Sequence, residues 1–148
     1  MAVLLAHWDN KAENQRLVCP EGAGDTGSCT APVAIVQDLG ATFGPLKVDL
    51  ANWSRTPMWS DAKTCTVSME TLPYKGSTFP KRRISEAGRK MLLGLLEQVS
   101  DQQLAELFTA SRITSYDQIS AAARDAGPWV AAFREKVKQI RAAGPCGQ

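Results

Sequence analysis

Two kinds of sequence pattern divide this 148-residue chain, and their order constrains its fold. From residue 84 to residue 144, apolar side chains recur every three or four positions, the spacing that places them on one face of an α-helix. Strand-like runs come earlier, as QRLVC at residues 15–19 and PVAIVQD at residues 32–38. Strands followed by helices predict an α+β fold, and the lack of internal repeats or a flexible linker predicts one domain over residues 1–148.

Four helices are predicted after residue 84. The first carries an apolar series at helical spacing: Ile84, Ala87, Met91, Leu92, Leu95, Leu96 and Val99. The second and third each begin at a capping-box pair, Ser100 with Gln103 and Ser115 with Gln118. Gly127 and Pro128 introduce the last helix, which Gly144 and Pro145 end.

The last helix is predicted to bury one stripe of side chains, made of Trp129, Val130, Phe133, Val137 and Ile140. Three basic residues follow toward its C-terminal end: Lys136, Lys138 and Arg141. Positive charge is favourable at that end of a helix, so these residues are predicted to complement the helix dipole without a ligand.

The two strand-like runs are predicted to pair as a β-hairpin with an enlarged, glycine-rich loop between them. Residues 1–7 are apolar and are predicted to be the tail of a helix. Residues 39–83 contain many Gly and Pro residues and little periodicity, so we expect an irregular, packed segment with one strand at TCTVSME. Trp53 and Trp59 are predicted to anchor this segment to the core.

Composition argues against several classes of protein. The chain is 44% hydrophobic, and its formal net charge of +2 is too small for a protein that coats nucleic acid. No apolar run approaches the roughly 20 residues that cross a bilayer, and the first residues lack the basic segment of a signal peptide. We therefore expect a soluble domain that neither binds nucleic acid nor spans a membrane.

Four cysteines leave two interpretations open: Cys19, Cys29, Cys65 and Cys146. They form either two disulfides in an exported protein or four buried thiols in a cytosolic one. Export is favoured because three of them lie in loop-like sequence, and Cys19 and Cys29 flank the glycine-rich loop. A zinc site is not expected, because the cysteines lack ligand spacing and His7 is the only histidine.

Two polar motifs flank the predicted hairpin. The run HWDNKAEN, which leads into the first strand, holds His7, Asp9, Lys11 and Asn14. The second strand ends in QDLG, which holds Asp38, Leu39 and Gly40. In order, spacing and strand context, these motifs resemble the H-x-D-x-K-x-x-N catalytic loop and the metal-binding D-F-G of protein-kinase-like enzymes. The resemblance covers residues 1 to about 44, and the helical remainder is similar only in being mostly helical, like a kinase C-terminal lobe.

This resemblance implies Mg²⁺- and ATP-dependent phosphoryl transfer. Asp9 would orient the attacking hydroxyl and accept its proton, and Lys11 would neutralise charge on the γ-phosphate. Asn14 and Asp38 would hold Mg²⁺, or Mn²⁺, through oxygen ligands. The nucleotide is thus the implied partner, and no motif identifies the phosphate acceptor.

Supporting roles are also implied, together with departures from the family pattern. His7 would brace the catalytic loop against the D-L-G turn, and Gly40 would give that turn its backbone freedom. Leu39 replaces the usual Phe, which is a tolerable apolar exchange. No A-P-E motif follows, so a protein substrate is not indicated.

Nothing before Met1 supplies the Gly-rich loop, lysine and glutamate of a kinase N-terminal lobe. The chain is therefore interpreted as a kinase-like C-lobe with its N-lobe missing, a fragment of a longer protein with little or no turnover by itself. A different class stays open, namely a non-catalytic, disulfide-stabilised interaction module, either pseudokinase-like or unrelated. In that interpretation Asp9, Asn14 and Asp38 are loop, cap and turn residues, and Lys11 is a solvated charge.

Overall fold

A computed structural model of the chain describes residues 2–7, 12–19, 31–37, 42–43, 49–67, 81–115 and 120–147. Helical residues make up about 52% of these, and the strands form two small antiparallel hairpins. The predicted α+β class is confirmed.

The described elements follow one another as strands, a short helix, strands and three longer helices. In chain order they are β1 (Gln15–Val18), β2 (Val33–Val36), α1 (Leu50–Arg55), β3 (Thr66–Val67), β4 (Arg82–Arg83), α2 (Glu86–Glu97), α3 (Asp101–Ala110) and α4 (Ala126–Ala142). Three 3₁₀ turns lie at Ala12–Asn14, Ile113–Ser115 and Ala121–Arg124. None of the described helices is long and apolar enough to cross a bilayer.

The predicted hairpin is confirmed. Strands β1 and β2 pair antiparallel, with Gln15 opposite Val36 at one end and Val18 opposite Val33 at the other. All eight residues of the two strands are exposed, although most of them are apolar. Leu17, for example, is 75% exposed. The second hairpin pairs β3 with β4, and β3 occupies part of the strand predicted at TCTVSME.

Residues 2–6 form turns instead of the predicted helix tail. The His7 amide donates a hydrogen bond to the Ala2 carbonyl, and Ala6 has a φ of 47°, which takes the chain out of the helical path. The apolar residues of this segment are nevertheless buried, since Leu4 is fully enclosed. Their hydrophobicity therefore reflects burial in the core and not helix formation.

The third predicted helix is not found among the described residues, and a helix that was not predicted, α1, lies earlier in the chain. Gln118 of the proposed capping box lies outside the described residues, and the segment that follows, Ala121–Arg124, is a 3₁₀ turn. The Ala123 carbonyl accepts a hydrogen bond from the indole N–H of Trp129, which ties this turn to α4. Asp49 is the N-cap of α1, and its side chain accepts a hydrogen bond from the Asn52 amide.

The other helix predictions hold in most details. The Ser100–Gln103 capping box is present in both directions at the start of α3. Along α4 the predicted stripe is buried, with Val130 at its half-buried edge, and the helix contacts α1, α2 and α3. Helix α4 is therefore the central element of the helical part. The apolar series predicted for the first helix, α2, is only partly buried, because Met91 and Leu95 are exposed.

Four aromatic rings fill the centre of the core: Phe43, Trp53, Phe108 and Trp129. The indoles of Trp53 and Trp129 are stacked, with ring centroids 5.8 Å apart and planes 28° apart. The Trp53 N–H donates to the Leu4 carbonyl, and the Trp59 N–H donates to the Gln139 carbonyl. Both tryptophans thus anchor the segment around α1, as predicted.

A disulfide between Cys65 and Cys146 joins the start of β3 to the residues after α4, across 81 positions of sequence. It is enclosed by Ala143 and Trp59. Cys19, at the end of β1, is disulfide-bonded as well. Cys29 lies outside the described residues. The disulfides favoured by the sequence are therefore confirmed for Cys65 and Cys146.

Candidate functional site

At the open end of the β1–β2 hairpin, the last residue of the first motif, Asn14, lies beside Gln37, the first residue of QDLG. The 3₁₀ turn Ala12–Asn14 leads directly into β1, and the residues after β2 leave the same end of the hairpin. The Gln37 amide donates a 2.8 Å hydrogen bond to the Asn14 carbonyl, which extends the pairing beyond the strands. The end of the first motif therefore lies next to the residue that precedes Asp38.

Four of the predicted site residues lie outside the described residues: Asp9, Lys11, Asp38 and Gly40. Their predicted roles stay predictions. Asn14, the predicted metal ligand within the described ranges, is half-buried at the hairpin end. Over the described ranges, no group of three or more His, Cys, Asp or Glu side chains could hold a metal ion.

His7, the first residue of the catalytic-loop motif, is buried in the protein. It is 3% exposed, and neither ring nitrogen has a hydrogen-bond partner among the described residues. Buried polar atoms are normally paired, so an imidazole in this state is unusual. The structure therefore places the start of the motif in the core, while the bracing role predicted for His7 stays a prediction.

A partly open cavity of about 550 Å³ lies beside His7. Its lining comes from the N-terminal turns, the β1–β2 hairpin, the segment after α1, and helices α2 and α4. The buried apolar residues of the lining are Val3, Met58, Val67 and Ile140. Sequence analysis did not predict this cavity, because its walls come from segments far apart in the chain.

A charged network closes one wall of the cavity. Arg89 is 7% exposed, and its guanidinium donates two hydrogen bonds to the Glu86 carboxylate, at 2.9 and 2.6 Å, and one to the Ile140 carbonyl. Glu86 also accepts from the Cys146 amide. The hydrogen bonds lower the pKa of Glu86 to about 2, with those from Arg89 as the larger cause and that from the Cys146 amide as the smaller. The network therefore joins α2, α4 and the disulfide.

We expect this network to stabilise the folded protein at pH values above the unfolded-state pKa of Glu86. The folded pKa of about 2 lies below the ordinary value of 4.5, so the contribution is lost as pH falls from about 4.5 toward 2. Glu86→Gln should remove it, and urea unfolding at pH 6 and pH 2.5 should show a smaller pH effect in the variant. Glu106→Gln, at an exposed site on α3, is the control. An equal pH effect in Glu86→Gln and wild type would contradict the prediction.

Lys136, which was predicted to complement the dipole of the last helix, is buried. It is 1% exposed, and its ammonium donates a 2.6 Å hydrogen bond to the Thr56 carbonyl. The ammonium also lies 5.4 Å from the centre of the Trp53 ring. Burial lowers its pKa from 10.5 to about 8. Lys136 therefore bridges α4 to the end of α1, while its helix-dipole role stays a prediction.

Comparisons with models of protein families, with curated proteins and with solved structures give no match.

Proposed function

We propose that the chain is the nucleotide- and metal-binding part of a kinase-like phosphotransferase, a C-lobe in which Asn14 and Asp38 hold Mg²⁺ or Mn²⁺ with ATP. The observation that carries the proposal is the hydrogen bond from the Gln37 amide to the Asn14 carbonyl at the hairpin end. A kinase-like site needs the asparagine of the catalytic loop and the aspartate of the second motif near each other. The hairpin register supplies that proximity up to one residue before Asp38.

The chemistry of the remaining motif residues supports the same proposal. Phosphoryl transfer requires a carboxylate at the attacking hydroxyl, which is the role proposed for Asp9, and a cation near the γ-phosphate, proposed for Lys11. Both lie on the segment between buried His7 and the turn that enters β1. The described residues on its two sides are held, since His7 lies in the core and the turn Ala12–Asn14 leads into the hairpin, which suits a loop that must position reactive groups.

The proposal predicts binding more directly than turnover, because the two motifs supply metal ligands and a proton acceptor but not the phosphate-binding loop of such enzymes. We expect calorimetric titration to show ATP binding that requires Mg²⁺ or Mn²⁺. Asp38→Asn should weaken this binding at least tenfold, because an amide cannot supply the charge that a divalent cation needs. Glu135→Gln, the same chemical change at an exposed site on α4, should bind like wild type.

Metal-independent ATP binding, or equal affinity in Asp38→Asn and wild type, would overturn the proposed site. Asp9→Asn provides a second measurement. It should leave Mg²⁺·ATP affinity within about threefold of wild type, because the proposed role of Asp9 concerns the acceptor hydroxyl and not the nucleotide. An Asp9→Asn variant that loses nucleotide binding altogether would contradict that assignment.

A second candidate function is a non-catalytic interaction module. It is favoured by the β1–β2 hairpin, whose apolar side chains are exposed, including Leu17 and Val33, and by the disulfide at Cys65. Complete indifference of the protein to nucleotide and to divalent cations would favour this module over the kinase-like site.

A further inference from the structure

We propose that the cavity beside His7 binds a linear aliphatic chain, such as the alkyl tail of a fatty acid or lipid. The volume of about 550 Å³ lies within the range of small-molecule sites in proteins. The proposal is independent of nucleotide binding, since it needs neither Mg²⁺ nor ATP.

Most of the side chains that line the cavity are apolar. Besides the buried residues, they include half-buried Leu5, Trp59, Ile84 and Leu92. Transfer of an aliphatic chain from water into such a space is favourable in proportion to the apolar area that it buries.

The cavity shares lining residues with a depression on the hairpin. Gln15 and Val36 are both exposed, and they line the cavity as well as a shallow depression of about 170 Å³ over β1 and β2. The antiparallel register puts Leu17 and Ala34 on the same face as this pair. The cavity therefore adjoins the exposed face of the hairpin, where Leu17 and Ala34 offer further apolar surface.

The polar groups of the lining favour an aliphatic chain over a peptide. The guanidinium of Arg89 is already bonded to Glu86 and to the Ile140 carbonyl, and the ring nitrogens of His7 are buried. A peptide would bring backbone amides and carbonyls into the cavity, and most of them would lose their hydrogen bonds to water without replacement. An alkyl chain has no such groups.

The test is calorimetric titration with decanoate, dodecanoate and tetradecanoate, each below its micelle concentration and without nucleotide or metal. We expect saturable binding with affinity rising about fourfold for each added methylene, because each buried methylene contributes a similar transfer free energy. Affinity that does not change with chain length, or no saturable binding, would overturn the proposal.

Variants tie the binding to this cavity. Ala2→Phe adds a ring at a lining position and should weaken dodecanoate binding at least tenfold, while Ala51→Phe, on the exposed face of α1, should not. If circular dichroism shows that Ala2→Phe does not fold, Ile84→Trp narrows the same cavity from another lining position. Equal affinity in a folded cavity variant and wild type would overturn the proposal.

Phosphatidylcholine vesicles distinguish the two sources of such a chain. Sedimentation with vesicles that Ala2→Phe abolishes indicates a membrane lipid, and dodecanoate binding without sedimentation indicates a free amphiphile. Vesicle binding that Ala2→Phe leaves unchanged, in a protein that binds no dodecanoate, would assign the interaction to another surface and overturn the proposal.

Discussion

Removing the Cys65–Cys146 disulfide is expected to lower the free energy of unfolding by about 4.5 kcal/mol, because the bridge closes a loop across 81 sequence positions. A cross-link of this span removes much of the conformational freedom of the unfolded chain, and that freedom returns when the bridge is opened. The double variant Cys65→Ala, Cys146→Ala should show this loss in equilibrium urea denaturation. A loss of this size is a large part of the stability of a typical domain, so the midpoint should fall strongly.

The two single variants provide the control for this prediction. Either substitution alone opens the bridge, so the double variant should lose little more unfolding free energy than each single variant. Additive losses would mean that the packing of the two buried side chains, and not the cross-link, carries the stability. Reductant is a poorer test, because Cys19 is disulfide-bonded too.

The buried ammonium of Lys136 is expected to make the protein more stable as pH rises from about 8 to 10.5. The pKa of Lys136 is lowered from 10.5 to about 8 on folding, so the unfolded state binds more protons in this interval. Unfolding free energy therefore increases with pH there, by on the order of 3 kcal/mol at most, at about 1.4 kcal/mol for each unit of pKa difference. Below about pH 8 both states are protonated and this gain is absent.

Lys136→Met isolates this effect, because the other titrating groups are the same in both proteins. The difference in unfolding free energy between wild type and Lys136→Met should change between pH 7.5 and pH 10.5 in favour of wild type. Lys138→Met, at an exposed position of the same helix, should leave the pH profile unchanged. Parallel profiles for wild type and Lys136→Met would show that the Lys136 pKa is close to its ordinary value in the folded protein.

Local sequence signals predicted those elements whose stability is also local. The Ser100 side chain accepts a hydrogen bond from the Gln103 amide, and the Gln103 side chain accepts one from the Ser100 amide. The start of α3 can therefore be identified without its surroundings. The branched residues of β1 and β2 likewise predicted a hairpin, whose two strands pair with each other. The stripe from Trp129 to Ile140 was long enough for its period to be unambiguous.

The elements that the sequence did not predict depend on contacts between segments far apart in the chain. Residues 2–6 turn because their apolar side chains enter a core built mostly from later segments, where the Leu4 carbonyl accepts the Trp53 indole N–H. Helix α1 has six residues, too few for a periodic signal, and depends on its Asp49 cap and on Trp53 in the core.

A sequence signal for the burial of Lys136 did exist. The residue falls at helical spacing between Phe133 and Ile140, on the face that packs inward. Its charge led to a helix-dipole prediction, whereas the Thr56 carbonyl and the Trp53 ring supply the partners that make burial possible. For the candidate site, the sequence predicted the hairpin that brings the Asn14 end near Gln37. It could not predict the cavity, whose lining residues meet only in the folded chain.

The disulfide also determines how the protein responds to mechanical force. Tension applied at the two ends passes through the Cys65–Cys146 bond, so the segment that holds α2, α3 and α4 carries no load along its backbone. An intact bridge should shorten the fully stretched chain by roughly 280 Å, at about 3.4 Å for each of the 81 positions it spans. Unfolding by pulling would therefore strip away the N-terminal segment, the first hairpin and α1, while the three long helices stay within a closed covalent ring.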